Sequence, residues 1–426
     1  MGAPRTAISS PPEERGQQQL PRRGAFLIGG AAAFLVGRDG SLPWQATRVA
    51  LVALLTGGLV TAIAHGTKGQ RAAAALAAGA AAVAGGVGIG VPHLAKTGIR
   101  PTTGAGLVLL AGGLVLYGFG SFALVRHTGR WQRALAVPAL ATALILSLVT
   151  LGQAVAVTNV PRTSVGSTTP STLGFAYEDV EVTTDDGVTL SGWYIPSRNG
   201  AAVVLLHGAG STRADVLDQA VVLARHRFGV LLFDARGHGR SGGRAMDFGW
   251  YGNEDTSAAV SYLERRPDVS AGRIAALGMS MGGEEAIGAA ATDQRISAVV
   301  AEGATNRVAA DKAWLSEAFG WRGAIQERVD WLTYTFTDAL TAADPPITLR
   351  RAVALAAPRP VLLIAGGDVT DEAHAAHHIQ GGSPTTVELW VVPGAGHTAG
   401  LDTHPDEWEQ RVIGFFDATI GGPPRG

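Results

Sequence analysis

Apolar positions run almost unbroken through the first third of the chain and then break into short bursts separated by turn residues. The two patterns predict two kinds of structure. The unbroken part holds four stretches, 46–64, 72–91, 104–125 and 134–157. Each is about 20 residues long, the length at which a helix rising about 1.5 Å per residue spans a hydrocarbon layer of about 30 Å. They predict an all-α bundle of transmembrane helices over 46–157. The connections carry the charge: Lys68 and Arg71, Lys96 and Arg100, then Arg126, Arg130 and Arg133. Gly86-x-x-x-Gly90 is a spacing that lets two helix backbones approach closely. The preceding 1–45 is read as a tail with one short apolar run, 24–37, behind Arg22 and Arg23. At about 14 residues that run is short for a span, and no cleavage-site pattern precedes Arg38 and Asp39, so it reads as interfacial or as a marginal fifth span. Four spans place the remainder of the chain on the side of the N-terminus, and five place it opposite. The Lys and Arg distribution favours a cytoplasmic N-terminus.

A Ser/Thr/Pro/Gly-rich stretch, 158–174, predicts a flexible linker. Beyond it the apolar bursts are short, β-branched and bounded by turn residues. Those at 177–183 and 189–196 pair as an antiparallel hairpin around Asp185-Asp186-Gly187. Further strands are expected at 203–206, 230–233, 274–277, 298–301, 361–365 and 387–392, alternating with helices at 214–226, 255–265, 281–291, 372–380 and 406–419. This alternation predicts one α/β domain over 175–422: an eight-stranded, mostly parallel sheet with helices on both faces. Residues 303–351 form an insertion long enough for a helical cap. In such a sheet, chemistry collects at the carboxyl ends of the strands.

Composition changes this picture in three places. No Asp or Glu occurs from residue 40 to residue 177, so the formal net charge of −1 hides a basic, apolar front half and a more acidic back half. The spans thus lack the carboxylates that mark ion or proton pathways, and they read as an anchor in the lipid bilayer, making the chain a multi-pass cell-membrane protein. The balanced charge leaves no dense basic face for nucleic acid. Cysteine is absent, which excludes disulfides, thiolate metal sites and cysteine nucleophiles. With no phosphate loop, metal motif or dinucleotide fingerprint, neither metal nor cofactor is expected.

The candidate chemistry falls at strand ends. Gly278-Met279-Ser280-Met281-Gly282 follows a strand and opens a helix, which exposes Ser280 as a nucleophile above a helix N-terminus. His207-Gly208-Ala209-Gly210 ends an earlier strand; the amides of Ala209 and Met281 would bind a developing oxyanion, and His207 is read as structural. The general base is expected after the last strand, at His397 in Pro393-Gly394-Ala395-Gly396-His397. His238 reads as a local hydrogen-bonding residue, His374, His377 and His378 as a solvated helix face, and His404 as a rival among helix-starting residues. The acid orienting His397 belongs in the loop Gly366-Gly367-Asp368-Val369-Thr370-Asp371-Glu372, with Asp371 preferred and Asp368 as the alternative. Glu372 reads as a carboxylate of the first helical turn. Trp314, Phe319, Trp321, Trp331, Tyr334 and Phe336 in the insertion line an acyl pocket or pack the cap helices.

From about Phe175 onward the chain resembles the α/β hydrolases. The resemblance rests on Asp186-Gly187 with Trp193-Tyr194, His207-Gly208, the run Asp234-Ala235-Arg236-Gly237-His238-Gly239-Arg240-Ser241, Gly278-Met279-Ser280-Met281-Gly282-Gly283 and Gly394-Ala395-Gly396-His397. Within the superfamily it looks most like bacterial dienelactone-hydrolase and prolyl-oligopeptidase-like esterases and peptidases. The acid loop departs from the family's Gly-x-x-Asp arrangement by being shorter. The resemblance implies a serine hydrolase that cleaves an ester, thioester or amide of a small-molecule, lipid or peptide substrate through a Ser-His-Asp triad and an acyl-enzyme. The competing expectations are a membrane acyltransferase using the same serine, a catalytically idle hydrolase fold that binds a partner, and a transporter regulated by the soluble half.

Overall fold

The computed structural model describes residues 12–36, 42–126 and 128–421. The parts of the expected tail at 1–11 and 37–41, with Arg38 and Asp39, lie outside the described residues. The chain divides between Ala156 and Val157 into two compact units.

The first unit is helical: α1 Pro12–Val36, α2 Leu42–His65, α3 Lys68–Thr97, α4 Pro101–Val125 and α5 Arg130–Ser147, which runs through a π-helical turn, Leu148–Gly152, into α6 Gln153–Thr158. Four helical stretches, Leu42–His65, Lys68–Thr97, Pro101–Val125 and Arg130–Thr158, are long and apolar enough to cross a membrane, and the apolar part of α1, Arg23–Val36, is shorter. Local chemistry explains why the helices outrun the apolar stretches. Thr67 and Gln70 cap the start of α3 reciprocally, and Pro101 opens α4 where its missing N–H costs nothing. α3 and α4 touch through backbone. A Cβ on Gly86 would stand 2.4 Å from the Leu110 nitrogen, and one on Gly106 would stand 2.6 Å from that of Gly90.

The second unit contains β1 Glu178–Thr183, β2 Thr189–Ile195, β3 Ala202–Leu206, α7 Leu217–Arg225, β4 Gly229–Phe233, α8 Gly252–Glu264, β5 Ile274–Met279 and α9 Met281–Thr292. It continues with β6 Ile296–Glu302, α10 Leu315–Phe319, α11 Trp321–Leu340, α12 Leu349–Ala356, β7 Val361–Gly366, α13 Thr370–Gln380, β8 Val387–Val392, α14 Gly400–Thr403 and α15 Pro405–Thr419. The eight strands form one sheet in the order β1-β2-β4-β3-β5-β6-β7-β8. β2 pairs antiparallel with β1 and with β4, and every other neighbour pair is parallel.

Why the central strands are apolar at every position follows from their two covered faces. Val204 and Leu206 of β3 pack into a core with Val260, Ile287 and Val353 from α8, α9 and α12. The alternate residues Val203 and Leu205 join a second core with Leu223, Trp408 and Phe416 from α7 and α15. Full burial of each such side chain contributes about 1.5–3 kcal/mol.

Two expectations need revision. The stretch 158–174 is packed on the α/β unit and is not a free tether. Val165 sits in the second core beside Trp193, the Arg162 guanidinium donates to the Ser241 carbonyl at 2.6 Å, and the Val157 carbonyl accepts from the Asp247 amide at 2.9 Å. The insertion 303–351, the expected cap, contains helices α10 and α11, but α12, which starts at its end, belongs to the core. Buried Asp311 clasps the two ends of the insertion, accepting from the Arg307 amide at 2.9 Å and from the Leu349 amide at 2.6 Å.

Candidate active site

The site is built where the strand order turns. β3 lies between β4 and β5, so successive crossovers leave it in opposite directions and open a crevice at the carboxyl ends of β3 and β5. Ser280 occupies the single residue between β5 and α9, at φ 55° and ψ −121°. A side-chain-bearing residue there costs about 1–3 kcal/mol and persists only when its surroundings hold it. The Ser280 amide donates to the Glu302 carbonyl at 2.7 Å, and the Ser280 carbonyl accepts from the Gly283 amide at 2.9 Å. The flanking glycines are required by space: a Cβ on Gly278 would lie 2.1 Å from the Gly282 carbonyl oxygen, and one on Gly282 would lie 2.6 Å from that of Leu206.

His397 follows β8 and meets Ser280. The Ser280 hydroxyl donates to His397 Nε2 at 2.8 Å, and His397 Nδ1 donates to Glu372 Oε1 in a short hydrogen bond. The partner carboxylate is therefore Glu372, not the expected Asp371 or Asp368. The physical reason is helix phase. α13 begins at Thr370, and successive side chains around it differ by about 100°, so Asp371 turns outward and Glu372 inward. Asp368 and Asp371 are exposed, whereas the Glu372 side chain is 3 % exposed. Its second oxygen accepts from the Gly366 amide at 2.8 Å, which fixes the carboxylate to the end of β7.

The hydrogen bond to Glu372 raises the His397 pKa above its ordinary 6.5, against the opposing effect of burial. Beneath the site, burial pushes Glu284 up to about 7. Glu302 was not singled out from sequence, yet it ties three segments together. It ends β6, accepts from the Gly400 amide at 2.7 Å and accepts from the Trp408 indole at 2.8 Å. Its only sequence signal is an acid that ends a strand whose other residues, apart from Ser297, are apolar.

Of the two expected oxyanion donors, Met281 follows Ser280 in the chain and Ala209 lies in the loop after β3. Met281 opens α9, so its amide is among those without a helical acceptor. Ala209 follows β3 and lines the same cavity as Ser280. His207 is buried and holds this loop: its Nδ1 donates to the Gly208 carbonyl at 2.7 Å, its Nε2 accepts from the Ala235 amide at 2.9 Å, and burial lowers its pKa to about 4. His238 bonds to Asp247 at 3.1 Å, and that carboxylate also accepts from the Gly210 amide at 3.2 Å. His404 bonds to the Pro393 carbonyl at 2.9 Å, and His374 stacks on Trp314.

Two cavities meet at His397. One, of about 560 Å³, is lined by Gly208, Ala209, Ser280 and the carboxylates Asp215, Asp218 and Asp402. The other, of about 530 Å³, lies against the cap and is lined by Trp314, Leu315, Phe319, Lys312 and Asp330. Of the six aromatic residues picked out in the insertion, Trp314 and Phe319 line this cavity. Tyr334 is buried against Phe248, while Trp321 and Trp331 are 71 % and 56 % exposed.

Residues 197–337 match the family model described as serine aminopeptidase, S33. An uncharacterized protein of Mycobacterium tuberculosis is 39 % identical over 118 residues, which cover 27 % of this chain and 41 % of that protein. A thiohydrolase of Aspergillus aculeatus is 35 % identical over 128 residues, 29 % of this chain and 40 % of its own length. The chain thus spans about two fifths of the curated relatives it matches. Among solved structures, the Pyrococcus furiosus esterase Pf2001 is 30 % identical with a TM-score of 0.49, covering 62 % of this chain and 98 % of that one.

Proposed function

We propose that this chain is a serine hydrolase of the α/β-hydrolase superfamily, anchored in a membrane by its first unit, that cleaves esters, thioesters or amides through an acyl-enzyme on Ser280; the family match over 197–337 and the thiohydrolase relative support this reading. The observation that carries this reading is the continuous chain of hydrogen bonds from the Ser280 hydroxyl through His397 to Glu372. In the first half-reaction His397 Nε2 takes the Ser280 proton as Oγ bonds to the substrate carbonyl carbon. The carbonyl electrons collect on an oxyanion facing the amides of Ala209 and Met281. The imidazolium then returns its proton to the leaving group as the old acyl bond breaks. Water repeats the sequence in the second half-reaction: His397 takes its proton, hydroxide adds to the acyl carbon, and Ser280 leaves with the proton.

Glu372 holds the imidazole with Nε2 free to accept and stabilises the imidazolium, the part expected of an aspartate. The thiohydrolase relative supports counting thioesters among the substrates, and the serine aminopeptidase family supports counting amides. Four membrane-length helices without a single Asp or Glu support the anchor.

A fluorophosphonate probe, which phosphonylates an activated serine with loss of fluoride, is expected to label the wild type and not Ser280→Ala. Ester turnover by that variant is expected to fall by about 10⁴-fold or more. Equal labelling of the two proteins would overturn the assignment of the nucleophile.

A further inference from the structure

Helix α11 of the insertion, Trp321–Leu340, buries Gly323, Asp330, Thr333, Tyr334 and Thr337 along one side. At about 100° per residue, Trp321, Ile325 and Leu332 project from the opposite side, within about 40° of one another. They are 71 %, 55 % and 38 % exposed. Charged or polar residues are expected on the outer side of a helix that faces water, and here the outer stripe is apolar. Exposed Arg322 and Arg328 border it, each within about 80° of Leu332 around the helix. The helix's acids lie about 120° or more from Leu332: Asp330 is buried, Glu327 accepts from the Ser316 amide at 2.7 Å, and Asp338 projects to the side. The Arg322 guanidinium lies 5.6 Å from the centroid of the Trp321 ring. The same helix lines the cavity that meets His397, through Arg322, Gly323 and Gln326. Phe319, two residues before Trp321, also lines that cavity and is 42 % exposed.

We infer that the outer face of α11 docks on an anionic lipid bilayer, with Trp321, Ile325 and Leu332 at the acyl boundary and Arg322 and Arg328 at the headgroup phosphates. An apolar stripe bordered by arginines suits a membrane interface. Hydrocarbon takes the stripe out of water, the indole is favoured where apolar and wet regions meet, and guanidinium groups pair with phosphate. A second copy meeting this face through the same face would set arginine against arginine, a charge pattern that phosphates neutralise. The α/β unit begins at Val157, where the last stretch of membrane length, Arg130–Thr158, ends, so α11 belongs to a unit tied to any bilayer that stretch enters. The inference rests on the reading of the first unit as an anchor and goes beyond it, giving the α/β unit a membrane contact of its own.

The test uses the full-length protein in vesicles of phosphatidylcholine, alone or mixed equally with phosphatidylglycerol. Because the chain has no cysteine, Ile325→Cys, Leu332→Cys and Asp338→Cys each carry one environment-sensitive fluorophore. In the mixed vesicles, lipids brominated on their acyl chains are expected to quench the labels at 325 and 332 severalfold more than the label at 338. That difference is expected to shrink in phosphatidylcholine alone, and to shrink in the mixed vesicles when Arg322→Gln and Arg328→Gln are added together. Equal quenching at the three positions in the mixed vesicles overturns the inference, and a difference that ignores lipid charge overturns the choice of an anionic surface. Labels at 325 and 332 that escape lipid quenching but respond to the ratio of protein to lipid would show a second copy on this face, and would also overturn it. Far-UV circular dichroism reports the fold of each variant, and two positions in the stripe guard against the failure of one. Carbonate extraction of the same vesicles separates the two readings. Retained protein with evenly quenched labels defeats the docking alone, whereas protein stripped from the vesicles defeats the anchor and the docking that rests on it.

Discussion

His397 is held between an alcohol and a carboxylate, and that arrangement fixes the sign of its titration. Glu372 favours the imidazolium, so the pKa lies above 6.5, while the base that accepts the Ser280 proton must be neutral. Activity is therefore expected to climb as pH rises through a value above 6.5. Replacing the carboxylate by a neutral amide in Glu372→Gln removes the cause of the shift. The acid limb of the pH–rate profile then moves to lower pH, and the plateau drops by about 10²- to 10⁴-fold. Asp371→Asn and Asp368→Asn alter neither limb, and a profile in which Asp371→Asn produces the large effect would contradict the geometry. The same shift makes the folded pair most stabilising below the unfolded pKa of His397, a contribution that fades as pH rises through the folded value. At this scale the serine and the histidine that meet in a hydrogen bond were legible in the sequence because each sits in a short pattern whose glycines serve a steric need. The acid was hidden because Asp368, Asp371 and Glu372 fall within five positions, and helix phase, not spacing, selects among them.

Elements are joined around the site by buried carboxylates, and these give the unit its pH response. Glu284, on α9, accepts from the amides of Thr305 at 3.0 Å and Asn306 at 2.9 Å, the turn that leads from β6 into the cap and lines the cap cavity. Burial raises its pKa from 4.5 to about 7, so between those values the folded state holds a proton that the unfolded chain has released. Stability supplied by this group is complete below pH 4.5 and is lost as pH rises through about 7. Glu302 and Asp311 are raised by burial as well, so the informative quantity is a difference between proteins. Thermal midpoints recorded across that window are expected to fall less steeply with pH for Glu284→Gln than for the wild type. Identical slopes would mean that Glu284 does not titrate there. Strands and helices were legible as elements because period and turn residues mark them. Which faces of the cap helices bear on the cavity was not legible: aromatic content alone failed to separate Trp314 from exposed Trp321 and Trp331. The stretch 158–174 likewise read as a tether by composition, because Val165 and Arg162 reveal their anchoring only against residues about 30 and 80 positions away in the chain.

At the scale of the whole molecule, the contrast between the two units is one of solvent. The second unit gathers its apolar side chains into two buried cores, while α2, α4 and α5 present Leu54, Phe122 and Leu135 at 74 %, 65 % and 77 % exposure. Apolar surface on that scale, free of Asp and Glu, suits hydrocarbon and not water. The full-length protein is accordingly expected to remain in the membrane pellet through alkaline carbonate extraction. Parity of crossing then decides sidedness. Four stretches are of spanning length and the apolar part of α1, Arg23–Val36, is shorter; four crossings would return the α/β unit to the side of the N-terminus, and five would place it opposite. Because the chain contains no cysteine, a single thiol introduced by Asp338→Cys at an exposed position of the cap is the only site for a membrane-impermeant maleimide. In intact cells or sealed vesicles, that thiol and an N-terminal epitope tag are expected to become accessible together, before or only after permeabilisation. Accessibility from opposite sides would instead make the apolar part of α1 a fifth crossing and move the site to the other face of the bilayer.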